Sequence, residues 1–201
     1  MYNFISSLCE DHFFDDPYKI IKISNEINFK KSKYISGSRS DSLHTINKSL
    51  HNYINNKILK IYYKNIDKKF SANTYFQKSD PDNNDGWVHY DSGTLTAIIY
   101  LTPGDTSGTS IFDLKEEFKI PDFKLSGYEK HKYFENKQKY NEKHKKLVFE
   151  NKIKHNNYFS KTIHYEGKFN RMICFDSNQF HASEVCNKER LILISFIDDI
   201  S

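Results

Sequence analysis

The spacing of apolar positions changes character twice along this chain. Within residues 41–61, Leu43, Ile46, Leu50, Ile54 and Ile58 recur at steps of three and four, which lays one apolar stripe along a helix. Upstream, FFDDPYKIIKISNEINF sets Asp16 before Pro17. A side-chain acceptor followed by a residue with a preset φ marks the start of an earlier helix. Past Phe70 the period shortens. SANTYFQ, WVHYD, TLTAIIYL and GTSIF read as short strands, separated by the turn-rich KSDPDNNDG, by Ser92-Gly93 and by TPGDTSG. Residues 129–151 are heavily charged, with Tyr133, Tyr140 and Leu147 seven apart, and read as an external helix. The remainder returns to strands: FSKTIHYEG, NRMICFD, then HASEV and RLILISFI around the turn CNKE. Helices, strands, one inserted helix and strands again predict an α+β fold with a mainly antiparallel sheet, a sandwich or a jelly roll. The length suits a single domain over 1–201, with helical support in about 1–65 and a β core over 70–198 interrupted by an insertion at 114–160.

Composition narrows the class. Hydrophobic residues at 37% and aromatics at 15% fit a packed, aromatic core and exclude a disordered chain. No apolar run approaches the roughly 18–20 residues that cross a bilayer. The opening MYNFISSLCEDHFF has no basic n-region and does not read as a signal peptide. Three cysteines without CxxC spacing, Cys9, Cys174 and Cys186, argue against structural zinc and a disulfide framework. They point to a reducing, cytoplasmic location, a host's cytoplasm if the source is viral. Cys174 falls in a core strand, and Cys186 falls in a turn where exposure is expected. The net charge of +4 is unevenly spread: residues 115–161 hold thirteen Lys, no Arg and seven acidic residues, about +6, which leaves the rest slightly acidic. A nucleic-acid surface favours Arg and interleaved aromatic or glycine loops, so a solvated helix is the better reading and a nucleic-acid partner is not favoured.

The candidate chemistry is scattered. In a strand-like His89-Tyr90-Asp91, alternation sends the imidazole and the carboxylate to one face. Such a pair can take two adjacent positions on a metal, and a second His completes a two-His-one-carboxylate triad with open positions on Fe(II). With nine His and fifteen Asp, chance supplies about one HxD, so the motif alone is weak. His164-Tyr165-Glu166 is of equal local merit, but beside the turn at Gly167 it reads as surface strand. His181, in DSNQFHAS, and Arg190, opening the apolar RLILISFI, raise the first site. An arginine at the head of a core strand is costly unless it meets an anion, and its fork grips a carboxylate with two parallel hydrogen bonds. On neighbouring antiparallel strands, His181 and Arg190 would set a metal ligand and a carboxylate clamp in one cavity. Trp87 and Tyr90 read as packing residues, and Arg171 as structural.

H-x-D, then His, then Arg nine residues on resembles the double-stranded β-helix Fe(II)/2-oxoglutarate oxygenases, especially the prolyl-hydroxylase-like branch. Within it, the pattern is similar to an uncharacterised family found in bacteria and their phages. WVHYDSGTLTAIIYLTP with SGTSIF resembles that family's HxD strand, aliphatic-Tyr-Leu strand and Gly-Thr strand. FNRMICFDSNQFHAS with ERLILISFI resembles its closing strands, and FFDDPYKIIKIS its start, so the likeness covers 10–30, 70–112 and 165–198. The resemblance implies iron on His89, Asp91 and His181, and the distal carboxylate of 2-oxoglutarate on Arg190 and Tyr100. Tyr75 is a looser candidate for the co-substrate, and O₂ is the oxidant. It also implies hydroxylation of a peptide or protein side chain or of a small molecule. A catalytically inactive β-helix used for binding or in a virion, and a cupin-like metalloprotein without 2-oxoglutarate, stand as alternatives.

Overall fold

Where the chain loses its helical period at Phe70, it enters the sheet that organises the fold. The computed structural model describes residues 7–31, 37–64, 67–81, 86–118 and 142–201. In chain order its elements are β1 (Ser7–Glu10), α1 (Pro17–Asn25), β2 (Phe29–Lys31), β3 (Ser38–Ser40), α2 (Leu43–Ile46), α3 (Lys48–Tyr62) and β4 (Ser71–Ser79). They continue with β5 (Leu95–Tyr100), β6 (Thr109–Leu114), α4 (Glu142–Asn156), β7 (Phe159–Tyr165), β8 (Met172–Asp176), β9 (Phe180–Ser183) and β10 (Arg190–Asp198). Seven strands form one sheet in the order β1-β8-β5-β10-β4-β3-β2, and three form a second, β7-β6-β9. Every pairing is antiparallel.

Alternation along the large sheet decides its two faces. Leu95, Ala97 and Ile99 of β5, with Leu191, Leu193 and Ile197 of β10, point outward into a core closed by Leu43, Leu50, Ile54 and Ile58 from α2 and α3. Ile98 and Tyr100 of β5, Ile173 and Phe175 of β8, and Ile192 and Ile194 of β10 point inward, against Ile111 and Ile163 of the small sheet. Burying both faces explains why RLILISFI is a nearly continuous apolar run rather than an alternating one.

Several sequence expectations change in detail. The apolar stripe over 41–61 is two helices, because Asn47 adopts an extended φ of −153° and its side chain accepts from the Leu50 N–H to start α3. Leu43, Leu50, Ile54 and Ile58 are buried as the stripe requires, while Ile46, at the break, is 43% exposed. Asp16 accepts from the Lys19 N–H and Pro17 opens α1 as expected. Of the charged helix expected over 129–151, the part before Glu142 lies outside the described residues, as do Tyr133 and Tyr140, and the described helix runs on to Asn156. Leu147, Phe149 and Ile153 are exposed on it. Cys186 is buried, not exposed: the turn before β10 carries Val185 outward and folds the thiol in. Among the described residues no helix is long and apolar enough to cross a membrane.

Candidate metal and dicarboxylate site

WVHYD is not a regular strand. His89 makes a single antiparallel bridge to His181, the two backbones exchanging N–H···O bonds of 3.0 and 2.7 Å. Asp91 is then fixed by its own N–H on the Ser177 carbonyl at 2.9 Å. The chain leaves for β5 through Gly93, whose φ of +116° strains any side chain and where a Cβ would stand 2.8 Å from an Asp198 carboxylate oxygen.

The bridge brings the three predicted ligands together. A nitrogen from each imidazole and an oxygen of Asp91 all lie within 4.8 Å of one another. Asp91 stands between the rings, with Oδ1 3.7 Å from His89 Nε2 and Oδ2 3.3 Å from His181 Nε2. Each ring is oriented from behind: His89 Nδ1 lies 2.8 Å from the Trp87 carbonyl and His181 Nδ1 2.9 Å from the Gln179 carbonyl. A carbonyl can only accept, so in the neutral rings both Nδ1 atoms carry the proton and both Nε2 lone pairs face the carboxylate. Two lone pairs and an anion converging at this distance repel one another unless a cation lies between them. Donor atoms about 2 Å from one ion sit about 3–4 Å apart, so small adjustments suffice. The donor set therefore fits a divalent metal.

Three residues that the sequence did not single out shape this end. Thr96 donates its hydroxyl to Asp91 Oδ2 at 3.0 Å and meets the Ser177 hydroxyl at 2.9 Å, which fixes the carboxylate. Its position was legible, because Thr96, Ile98 and Tyr100 share one face of β5. Asn156, at the end of α4, accepts from the Val88 N–H at 3.1 Å and donates to the Gly86 carbonyl at 3.0 Å. Beside it His155 Nε2 reaches the Val88 carbonyl at 2.8 Å. The helix C-terminus thus grips the segment that delivers His89, a contact across nearly seventy residues that local sequence cannot show.

Arg190 lies deeper. His181 and Arg190 are not on neighbouring strands of one sheet, as the sequence suggested. β9 belongs to the small sheet and β10 to the large one, so the two side chains meet the interior from facing walls. Arg190 is 3% exposed, donates Nη1 to the Ser107 carbonyl at 3.2 Å and has no partner for Nε among the described residues. An orphaned guanidinium N–H in a buried site is the vacancy an incoming carboxylate would fill. Tyr100, inward on β5, donates to Thr109 at 2.8 Å. Burial pushes its phenol up to about 12, against the pull of Arg190 nearby, so it stays a neutral donor at physiological pH. The wall behind them is tight: a Cβ at Gly108 would stand 1.8 Å from the Tyr165 carbonyl. Between Arg190 and the triad the interior is lined by Ile98, Ile173, Phe175, Ile192 and Ile194, with the Phe175 ring 4.6 Å from that of His181.

The other candidates take plain places. Tyr75 is half-buried on the inner face of β4, beside Ile194. His164 pairs with Glu184 at 3.3 Å on a partly exposed strand, apart from the triad. Arg171 is held by Asp11, with Nε and Nη2 donating to its two oxygens at 2.6 and 3.1 Å. Tyr90 is 47% exposed, its ring edge-on to Phe180.

Comparison with solved structures identifies the architecture as the double-stranded β-helix. The chain is similar to a prolyl hydroxylase from Trichoplax adhaerens, solved with a hypoxia-inducible-factor peptide, at 11% identity and a TM-score of 0.55, covering 98% of this chain and 85% of that one. It is similar to HygX from Streptomyces hygroscopicus, solved with nickel and 2-oxoglutarate, at 10% identity, a TM-score of 0.57, and coverage of 94% and 81%. It is also similar to a 2-oxoglutarate-Fe(II) oxygenase family protein from Burkholderia pseudomallei, at 8% identity, a TM-score of 0.56, and coverage of 97% and 85%. At such identities the likeness is one of fold. No curated protein matches the sequence. Residues 7–192 match the model of a family of unknown function, DUF6445.

Proposed function

The chain belongs to DUF6445, and we propose that it is an Fe(II)- and 2-oxoglutarate-dependent oxygenase that hydroxylates a C–H bond. The observation that carries this reading is that one β-walled interior holds two incomplete sites. One is a His-Asp-His donor set with converging lone pairs, and the other is a buried arginine with an unsatisfied N–H. A dicarboxylate with a chelating keto-acid end completes both at once.

His89, Asp91 and His181 would hold the metal, and Arg190, aided by Tyr100, the distal carboxylate. Tyr75 would bound the co-substrate's flank. When bound, iron and 2-oxoglutarate supply the oxidation: O₂ and a substrate C–H are converted to C–OH, with 2-oxoglutarate split to succinate and CO₂. The chain's own contribution is order and dryness. The Trp87 and Gln179 carbonyls set the imidazole tautomers, Thr96 holds the carboxylate, and the isoleucines and Phe175 keep water from the path between the two ends. The substrate is a peptide or protein side chain, or a small molecule, in keeping with solved neighbours crystallised with a peptide and with hygromycin B. Anaerobic titration with Fe(II) and 2-oxoglutarate tests the reading without knowing the substrate. A visible charge-transfer band from the chelate is expected at one equivalent of each. Its absence in folded protein would leave a β-helix with a binding or structural role.

A further inference from the structure

Only three of the chain's thirty basic side chains are arginines: Arg39, Arg171 and Arg190. Where lysine supplies nearly all the positive charge, each arginine marks a place that needs a planar fork. Arg171 spends its fork on Asp11, and Arg190 is the clamp described above. Arg39 has no carboxylate partner among the described residues.

Its setting is specific. Arg39 lies on β3 opposite Gln77 of β4, on the inward face of the large sheet. Gln77 Oε1 accepts from its Nε and Nη2 at 3.1 and 2.6 Å, which immobilises one edge of the guanidinium. Its plane is packed on aromatic rings, 5.1 Å from the Tyr75 centroid and 5.7 Å from that of Phe196. The Nη1 edge carries no hydrogen bond to a described residue. Arg39, Tyr75, Gln77 and Phe196 are all only partly buried, so solvent, and therefore a ligand, reaches them. Phe196 lies directly across from Thr96, whose hydroxyl holds Asp91. In the sheet order β3 is the third strand from β5, about 14 Å at ordinary strand spacing, and the Arg39 side chain spans part of that distance over Tyr75 and Phe196. Burial lowers its proton affinity while the Asp91 charge raises it, so Arg39 lies within the electrostatic reach of the metal end.

Resting on the oxygenase reading, we propose that Arg39 is the recognition point for an oxyanion of the substrate, a carboxylate or a phosphate. The enzyme then acts on acidic molecules or acidic segments, with the anion seated beside the carbon presented to the triad. A fixed, ring-stacked, largely desolvated guanidinium without a counter-ion among the described residues is a poor choice for stability alone. It is a good one for binding an anion with little ordering cost.

Three arginines make the test direct, because each guanidinium Nε–H signal of ¹⁵N-labelled full-length protein can be assigned by one substitution. The protein is loaded with Zn(II) as a diamagnetic metal and saturated with 2-oxoglutarate, which occupies Arg190. It is then titrated with acetate and, separately, with methyl phosphate. The expected result is a saturable shift of the signal lost in Arg39→Lys by at least one of the probes, with the Arg171 signal still. Whichever probe acts more strongly names the anion. Gln77→Glu, which supplies Arg39 with an internal carboxylate, should weaken that response at least tenfold and covers the case in which Arg39→Lys fails to fold. An Arg39 signal that moves with 2-oxoglutarate and ignores both probes would make it a co-substrate anchor and overturn the proposal, as would no response at all. Failure of the parent reading looks different: 2-oxoglutarate would then leave the Arg190 signal unmoved.

Discussion

The two faces of the seven-stranded sheet bury polar groups in opposite ways. On the outer face, Asn55 reaches down from α3 to Thr74 and Ser195. These three close a circuit in which Asn55 Nδ2 donates to Thr74 Oγ1 at 2.8 Å, Thr74 meets Ser195 at 2.9 Å, and Ser195 returns to the Asn55 carbonyl oxygen. No external molecule is needed there. On the inner face, the triad's lone pairs converge on a point, Arg190 keeps an unpaired Nε, and Arg39 has no counter-ion among the described residues. Buried polar groups that are fully satisfied specify a fold, and buried groups held in place yet left incomplete specify a ligand. The same strands, β5 and β10, present both surfaces through simple alternation. Stability and function are therefore separable by residue parity.

Ligand removal on the inner face should have the largest effect. Asp91→Ala is expected to abolish iron-dependent succinate formation while leaving the thermal midpoint of the metal-free protein unchanged or slightly raised, because a repulsive convergence is relieved. Retained turnover would place the metal elsewhere. The matching outer-face change, Leu193→Ala, should do the reverse. It removes a fully buried side chain from the helix-covered core and should cost about 2–5 kcal/mol by urea unfolding, with the Fe(II) titration unaltered in the folded fraction. If either variant moves both readouts, the two faces are coupled and the parity argument fails.

Arg190→Lys sharpens the picture within the inner face. A point charge replaces a fork, so 2-oxoglutarate affinity should fall about 10–100-fold, the worth of one charge-assisted hydrogen bond, with Fe(II) binding unchanged. Asn156→Ala is subtler, since it touches neither ligand nor co-substrate. Losing its clamp on Gly86 and Val88 should weaken metal binding about tenfold by loosening the segment that carries His89. Affinity equal to that of the parent protein would mean that the His181 bridge alone suffices to hold that segment.

What the sequence made legible follows the same division. The apolar runs of β5, β8 and β10, the stripe through Leu50, Ile54 and Ile58, and the Asp16-Pro17 helix start were readable because each is a local rule with a local cause. His89, Asp91, His181 and Arg190 were nameable from residue type and order, and Tyr100 from the family resemblance, although WVHYD proved to be a single bridge and the two walls proved to be different sheets. Asn156 and His155 were invisible, since nothing near them in the chain announces Gly86 or Val88. Arg39 had one signal, its rarity among lysines, which carries no meaning until the guanidinium is seen on the inner face with no carboxylate partner among the described residues.

The smallest expected effect concerns how the N-terminal segment is tied to the sheet. Asn170, at a positive φ of 61°, donates to the Phe14 carbonyl and accepts from its N–H, and the adjoining Arg171 grips Asp11 together with Lys168. Hydrogen bonds from Arg171 and then Lys168 hold the Asp11 carboxyl well below its ordinary range. A carboxylate whose folded pKa is depressed contributes stability that is complete above its unfolded value near 4 and is lost as pH falls below it. Asp11 is a third exposed, so solvent screening keeps the contribution to about 1 kcal/mol or less. Asp11→Asn should therefore lower stability slightly at pH 7 and by progressively less as pH falls from 4 towards 2, as the difference between the two variants' urea midpoints. A difference as large at pH 2 as at pH 7 would mean that the cluster acts through packing and not through charge.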